Sequence, residues 1–199
     1  MANESRRLDS VCVFCGSSND ADPAFLAAAA DLGRVLAAAK VRLVYGGGGV
    51  GLMGASARAA HEAGGDVLGV IPQFLVAAER QLDVVETVVV ETMHQRKTMM
   101  YDASDAYIIL PGGIGTLEEV IELLSWRRLA LHAKPIVFFN PRGFWQPLFD
   151  LLHHTISEKL SPAGFERSWT SVDTVAEILP ALEAELRAMP SVVDATHLT

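Results

Sequence analysis

The chain has 199 residues, half of them hydrophobic and a fifth charged, with a formal net charge of −8. That composition sets aside intrinsic disorder and a broad surface for polymeric nucleic acid, which needs a basic face. It leaves room for a small phosphate ligand, because backbone amides at a helix start bind phosphate without side-chain charge.

Short apolar runs alternate with longer helical patterns. Strands are expected at residues 11–15, 42–45, 67–71, 84–90, 106–110 and 135–139, and helices at 23–39, 50–63, 93–103, 116–131, 144–159 and 172–188. Continuous Val/Ile/Leu strands belong to a parallel sheet covered on both faces. The alternation gives a doubly wound α/β layer with the strand C-termini, and any ligand, on one edge. Residues 1–189 read as a single domain. Residues 190–199 lack periodicity and read as a disordered tail. No apolar run approaches the ~18 residues of a membrane span. The apolar stretch after Arg6 and Arg7 is shorter than a signal peptide's ~7–15-residue core. A cytoplasmic protein without a membrane partner is expected.

In chain order, the first strand carries Cys12 and Cys15. Three residues along a strand span roughly 10 Å, beyond the ~7 Å Cα limit for a disulfide, so reduced core thiols are expected rather than a redox pair. The second strand runs into Gly46-Gly47-Gly48-Gly49-Val50-Gly51-Leu52-Met53-Gly54. Gly49, Gly51 and Gly54 have the G-x-G-x-x-G spacing of a dinucleotide loop. That loop belongs after the first strand, and the next strand should end in an acid for the ribose. Here it ends in Val70-Ile71-Pro72-Gln73. What survives is that the backbone must turn sharply or be closely approached here.

Thr92 and Gln95 have capping-box spacing at the start of a basic helix. Arg96 shares a face with Met99, Met100 and Ala103. It either snorkels to solvent or lines a pocket as a planar fork for an anion or base. After the fifth strand comes Pro111-Gly112-Gly113-Ile114-Gly115-Thr116-Leu117-Glu118-Glu119. Three glycines clear the way for several amides and the Thr116 hydroxyl to meet one anion at a helix start. Without G-x-x-x-x-G-K-[ST], a monophosphate fits better than a triphosphate. The competing reading makes Thr116 and Glu119 a capping box. The helix that follows is apolar on several sides, through Val120, Ile121, Leu123, Leu124, Trp126, Leu129 and Leu131, so both the sheet and a partner subunit are candidates to cover it. The six histidines form no metal motif; His153 and His154 read as a helix surface pair, and no metal is expected. No G-x-S-x-G elbow is present.

Met93-His94-Gln95-Arg96-Lys97, followed by the Pro111–Glu119 segment, resembles the paired motifs M-H-x-R-K and P-G-G-x-G-T-x-x-E of the Lonely Guy family. Phe14-Cys15-Gly16-Ser17-Ser18 and the 46–54 segment are similar to the family's earlier loops. The resemblance runs from about residue 11 to 139. It implies a Rossmann-like homodimer, without a cofactor, that hydrolyses cytokinin riboside 5′-monophosphates to free N6-modified adenine and ribose 5-phosphate, with AMP as a further substrate. It implies catalytic roles for Arg96 and Glu119. Family members often carry an older lysine decarboxylase label, yet none of the four lysines here lies in a pyridoxal phosphate motif.

On that resemblance, Glu119 stabilises the ribose cation or activates water, and Arg96 orients the nucleotide and eases departure of the base. The substrate-binding set is Gly16, Ser17, Gly47, Gly48, Glu79, Met93, Lys97, Gly112, Gly113, Ile114, Gly115, Thr116, Leu117 and Glu118. Glu118 sits about 100° around the helix from Glu119, so it either holds ribose hydroxyls or faces solvent. Glu79, in a stretch resembling the family's base-side segment, is either a base-pocket acid or a solvated loop acid. Two other function classes stay open at this point: a module that binds a nucleotide or molybdenum cofactor without hydrolysis, and a dinucleotide oxidoreductase.

Overall fold

A computed structural model describes residues 7–189 of the chain; the tail expected at 190–199 lies outside the described residues. Seven parallel strands form one sheet: β1 (Ser10–Phe14), β2 (Arg42–Tyr45), β3 (Val67–Pro72), β4 (Glu86–Val90), β5 (Ala106–Ile109), β6 (Ile136–Phe139) and β7 (Thr170–Val172). Their order is β4-β3-β2-β1-β5-β6-β7. Six helices connect them: α1 (Pro23–Ala39), α2 (Gly51–Glu62), α3 (Met93–Asp102), α4 (Ile114–Arg128), α5 (Gln146–Ser157) and α6 (Val175–Ala188). This is the Rossmann-like doubly wound arrangement the alternation predicts.

Strand β7 was not expected. At the sheet edge Thr170 and Val172 are only partly buried and Ser171 is exposed, and the sequence reading ran the last helix back through Val172. That helix starts later, where Thr174 and Glu177 form a capping box.

Each strand sends alternate residues to opposite faces. Val11, Val13 and Cys15 pack with α1, α2 and α6 on one side. Cys12 and Phe14 pack with α3, α4 and α5 on the other. The two thiols are therefore separated by the sheet, and both are free and buried. Burial pushes both well above the ordinary thiol range, the opposite of a reactive redox pair. On the first face α1 and α2 approach so closely that a Cβ on Gly33 would fall on the Ser56 backbone.

Candidate active site

The chain leaves β1 toward β2 on one side, while β5 lies on the other, so the order reverses between β1 and β5. In open α/β sheets that switch point forms a crevice at the strand C-termini. A cavity of about 450 Å³ opens there.

Helix α4 forms one wall. It begins at Ile114 with Gly113 as its N-cap, in an extended conformation, and no side chain caps it. The capping-box reading of Thr116 and Glu119 is therefore wrong. Gly113 brings the chain into the helix two residues before Thr116, which lies inside the first turn. Thr116 is instead folded against Gly112, whose Cβ, if present, would fall on the Thr116 hydroxyl. The first amide to bond back is that of Leu117, to the Gly113 carbonyl at 3.0 Å. The amides of Ile114, Gly115 and Thr116 precede it at the positive end of the helix. Gly113 and Gly115 have nothing within 4 Å of where a Cβ would sit, so the space beside these amides is open.

The loop after β1 forms the facing wall, with Cys15, Gly16, Ser17 and Ser18. The Gly16 amide donates to the Pro111 carbonyl at 3.0 Å, and the Gly16 carbonyl accepts from the Leu52 amide at 2.9 Å. Asn19 Oδ1 accepts from the Gly51 amide at 2.9 Å. Two amides at the start of α2 are thus occupied by the protein itself. That leaves the G-x-G-x-x-G spacing little to offer a pyrophosphate.

Helix α3 supplies the buried cation. Thr92 and Gln95 form the expected capping box, with 3.1 Å bonds in both directions. The turn this fixes sends Arg96 inward, where it is 5% exposed, which settles the choice between snorkelling and lining a pocket. Its Nη2 donates to the Gly46 carbonyl at 3.1 Å, and its Nη1 lies 3.9 Å from Met93 Sδ. Its Nε has no partner. Gly46 is needed because a Cβ there would fall on Nη2.

Two carboxyls accompany the guanidinium. Glu79 Oε2 lies 3.7 Å from Arg96 Nη2 and accepts no hydrogen bond. Burial pushes Glu79 upward against the opposing charge of Arg96. Glu119, one turn into α4, is pushed up to about 7, mainly by burial. Arg96 opposes that rise, Glu118 and Glu79 add to it, and Lys97 subtracts. A carboxyl poised near neutrality beside a buried cation is equipped for proton transfer and for meeting developing positive charge.

Of the residues expected at the site, Gly16, Ser17, Glu79, Met93, Arg96, Gly113, Ile114, Gly115, Thr116, Glu118 and Glu119 line the cavity. Gly47, Gly48, Lys97, Gly112 and Leu117 do not. Lys97, expected to assist at the phosphate, pairs with Glu118 at 2.8 Å and Glu122 at 2.7 Å. Gly47 packs on Ile71 with φ +80°, and Gly48 bridges to Gln81. Leu117 joins the core, and Gly112 packs on Thr116. Met53 and Leu75 line the cavity without having been expected. Each is an apolar residue in apolar surroundings, and nothing in the sequence sets it apart from the core. His153 and His154 are exposed on α5.

Fold and crevice together define a Rossmann-like α/β protein whose candidate site lies at the topological switch point. Among solved structures, the molybdenum cofactor carrier protein of Chlamydomonas reinhardtii superposes with a TM-score of 0.69 at 23% identity, over 92% of this chain and 100% of that one. The molybdenum cofactor binding protein of Rippkaea orientalis gives 0.68 at 23%, over 90% and 98%. At such identities the likeness shows the fold alone.

Sequence relatives say more. A family model described as "Possible lysine decarboxylase" matches residues 53–182. The Arabidopsis thaliana protein named "Probable cytokinin riboside 5′-monophosphate phosphoribohydrolase LOG6" is 41% identical over 181 residues, 90% of either chain. A second from the same plant, "Cytokinin riboside 5′-monophosphate phosphoribohydrolase LOG5", is 39% identical over 179 residues, 89% of this chain and 78% of that one. The chain belongs to this Lonely Guy family of phosphoribohydrolases. The decarboxylase description finds no footing in the site. None of the four lysines lines the cavity, so no amine is placed there to hold pyridoxal phosphate.

Proposed function

We propose that the protein hydrolyses the N-glycosidic bond of cytokinin riboside 5′-monophosphates, and of AMP, releasing the free base and ribose 5-phosphate. The observation that carries this reading is that Glu119 and the buried Arg96 line the same cavity, with Glu119 one turn behind a helix start that has no side-chain cap. The α4 amides and Ser17 take the phosphate, and that remote binding energy positions the sugar. As the bond from C1′ to the base lengthens, positive charge grows on the ribose and Glu119 meets it as the carboxylate. Water adds to C1′ and gives up a proton, and the base departs with its electron pair and is protonated. Arg96 balances the charge gathering on the base. Glu118, tied to Lys97, is available to the ribose hydroxyls at the cavity rim.

A homodimer is part of the proposal. Helix α4 buries Val120, Leu123 and Leu124 but leaves Ile121 44% exposed, and Leu129 and Leu131, just beyond it, 58% and 64% exposed. That is an apolar surface a second copy would cover. A cytoplasmic setting is also proposed, in keeping with two free, buried cysteines. Among the described residues no helix is long and apolar enough to cross a membrane.

The test is to incubate the protein with AMP and N6-isopentenyl-AMP and separate the products by chromatography. Free base and ribose 5-phosphate are expected. Bound but intact nucleotide would place the protein among non-hydrolytic binders. Light scattering at micromolar concentration checks the dimer.

A further inference from the structure

Behind the crevice lies a second, smaller cavity of about 20 Å³, in the seam where α3 and α4 meet the sheet. Its α4 wall includes Glu119, Glu122 and Leu123, whose i, i+3 and i+4 spacing puts them on one face of the helix. Lys97 faces it from α3, and Phe14 and Tyr107 line it from the adjacent strands β1 and β5. Among the described residues, Glu119 alone lines both the crevice and the seam.

Tyr107 is 1% exposed, and its hydroxyl has no partner in the protein. A buried hydroxyl left unpaired is unfavourable. Its ring is stacked on Phe14 and meets His132 edge-on, so the hydroxyl is not free to swing to another partner. His132 Nδ1 also lacks a partner, but His132 does not line the seam. A water needs roughly 10–15 Å³ and two to four polar neighbours. The seam has that room. It offers Tyr107 and Glu119 together with Lys97 and Glu122, which are paired with each other at 2.7 Å.

Resting on the hydrolase reading above, we propose that Tyr107 is a positioning residue for Glu119: its hydroxyl holds one water in the seam, and that water donates to the Glu119 carboxylate from behind while the substrate meets it from the front. A donor on the carboxylate favours its ionised form, the form the reaction uses. Burial holds the Tyr107 phenol far above its ordinary range, so it stays a donor wherever the enzyme works. The other titratable groups around Glu119 are Arg96, Lys97 and Tyr101 on α3, Glu79 after β3, Glu118 and Glu122 on α4, and Cys12 and Cys15 on β1. Tyr107→Phe leaves all of them in place and keeps the ring on Phe14, removing only the hydroxyl.

The experiment takes the wild type and Tyr107→Phe, confirms by melting curves that both are folded, and follows kcat/KM for AMP from pH 5.5 to 9.5. A second measurement reads the carboxyl itself, by NMR titration of protein carrying 13C-carboxyl glutamate, with Glu119→Gln identifying the signal. In both measurements the midpoint should rise by about one pH unit in Tyr107→Phe. The variant's kcat/KM should then fall about fivefold near pH 7 and return to within about twofold of the wild type by pH 9.5. A loss by the same factor at every pH is what a structural role would give, and it overturns the proposal, as does an unmoved midpoint. If the wild type cleaves no nucleotide but the NMR midpoint still rises in the variant, the hydrolase reading fails and the link from Tyr107 to Glu119 stands. If there is neither cleavage nor a shift, both fail.

Discussion

Two glycine-rich loops leave strands β2 and β5, on either side of β1, at the same sheet edge, and they use their glycines for opposite purposes. In the 46–54 loop the missing side chains make room for the protein. A Cβ at Gly46 would fall on Arg96, one at Gly47 would come within 2.8 Å of Ile71, and one at Gly49 would fall on the Arg80 carbonyl. That closeness lets the loop bond to residues 79–82. The Gly49 amide donates to the Glu79 carbonyl, and the Leu82 amide donates to the Gly47 carbonyl at 3.2 Å. In the 112–116 loop, Gly113 and Gly115 have nothing near the absent Cβ, and the helix behind them carries no side-chain cap. The first loop is already filled by protein and holds Arg96 and Glu79 in place. The second is open to a ligand. A run of glycines in a sequence reports close approach, and only the structure tells whether the approaching group is protein or substrate.

The largest expected effect belongs to the carboxyl behind the open loop. Glu119→Gln should lose at least about 10²-fold in turnover while folding normally; since Glu119 does not belong to a cap, the change removes no capping bond. Near wild-type turnover would make Glu119 a structural residue and leave the open loop without a reaction. Next comes Gly46→Ala in the filled loop. Its methyl collides with Arg96, so turnover should drop at least about tenfold through misplacement of the guanidinium, with a loss of about 1–3 kcal/mol in stability from overpacking. Chemical denaturation and steady-state kinetics on one preparation check both. A fully stable and active Gly46→Ala protein would remove the distinction between the loops.

Much of this was legible in the sequence. Helix α1 fell on the expected bounds, residues 23–39, because Asp22 caps it, Pro23 opens it and the apolar period is unbroken. The parallel order followed from strands without polar alternation. The capping box of Thr92 and Gln95 was visible because it is local. What could not be read depended on contacts distant in sequence or on the absence of a side chain. Arg96 meets Gly46 across 50 positions, and no local pattern announces it. The start of α4 was misjudged because Gly113 caps through backbone conformation, while Thr116 offered a familiar signature three residues too late. Lys97 looked like a phosphate ligand beside Arg96, but the next position on a helix turns away by about 100°, and that turn delivers it to Glu118 and Glu122.

The pH dependence tests whether the open loop leads to an ionisable group at all. Glu119 sits at about 7 in the folded protein against an ordinary value of 4.5. If the carboxylate meets the ribose cation, kcat/KM should fall about tenfold per pH unit below that point. A flat profile from pH 5.5 to 8 would sink the assignment. Stability runs the other way. The folded state keeps a proton that the unfolded chain releases, so the contribution from neutral Glu119 is complete below pH 4.5 and is lost as pH rises through 7. Glu119→Gln should flatten that slope in denaturant melts taken between pH 5 and 8.

The smallest effect is expected from Gly115→Ala, and its smallness is informative. At Gly115 an added methyl meets nothing within 4 Å, and within a helix alanine is favoured over glycine by about 0.5–1 kcal/mol. Alone, that predicts a melting temperature unchanged or slightly raised. Yet Gly115 lines the cavity beside the uncapped amides, where a phosphate must come within hydrogen-bond distance. The methyl should therefore weaken nucleotide binding several-fold and raise KM while leaving kcat nearly intact, since it removes binding shared by ground state and transition state. Stability and affinity then move in opposite directions at Gly115, whereas stability and turnover fall together at Gly46. Should Gly115→Ala bind AMP as tightly as the wild type, the phosphate does not sit on the α4 amides, and the open loop is open for some other reason.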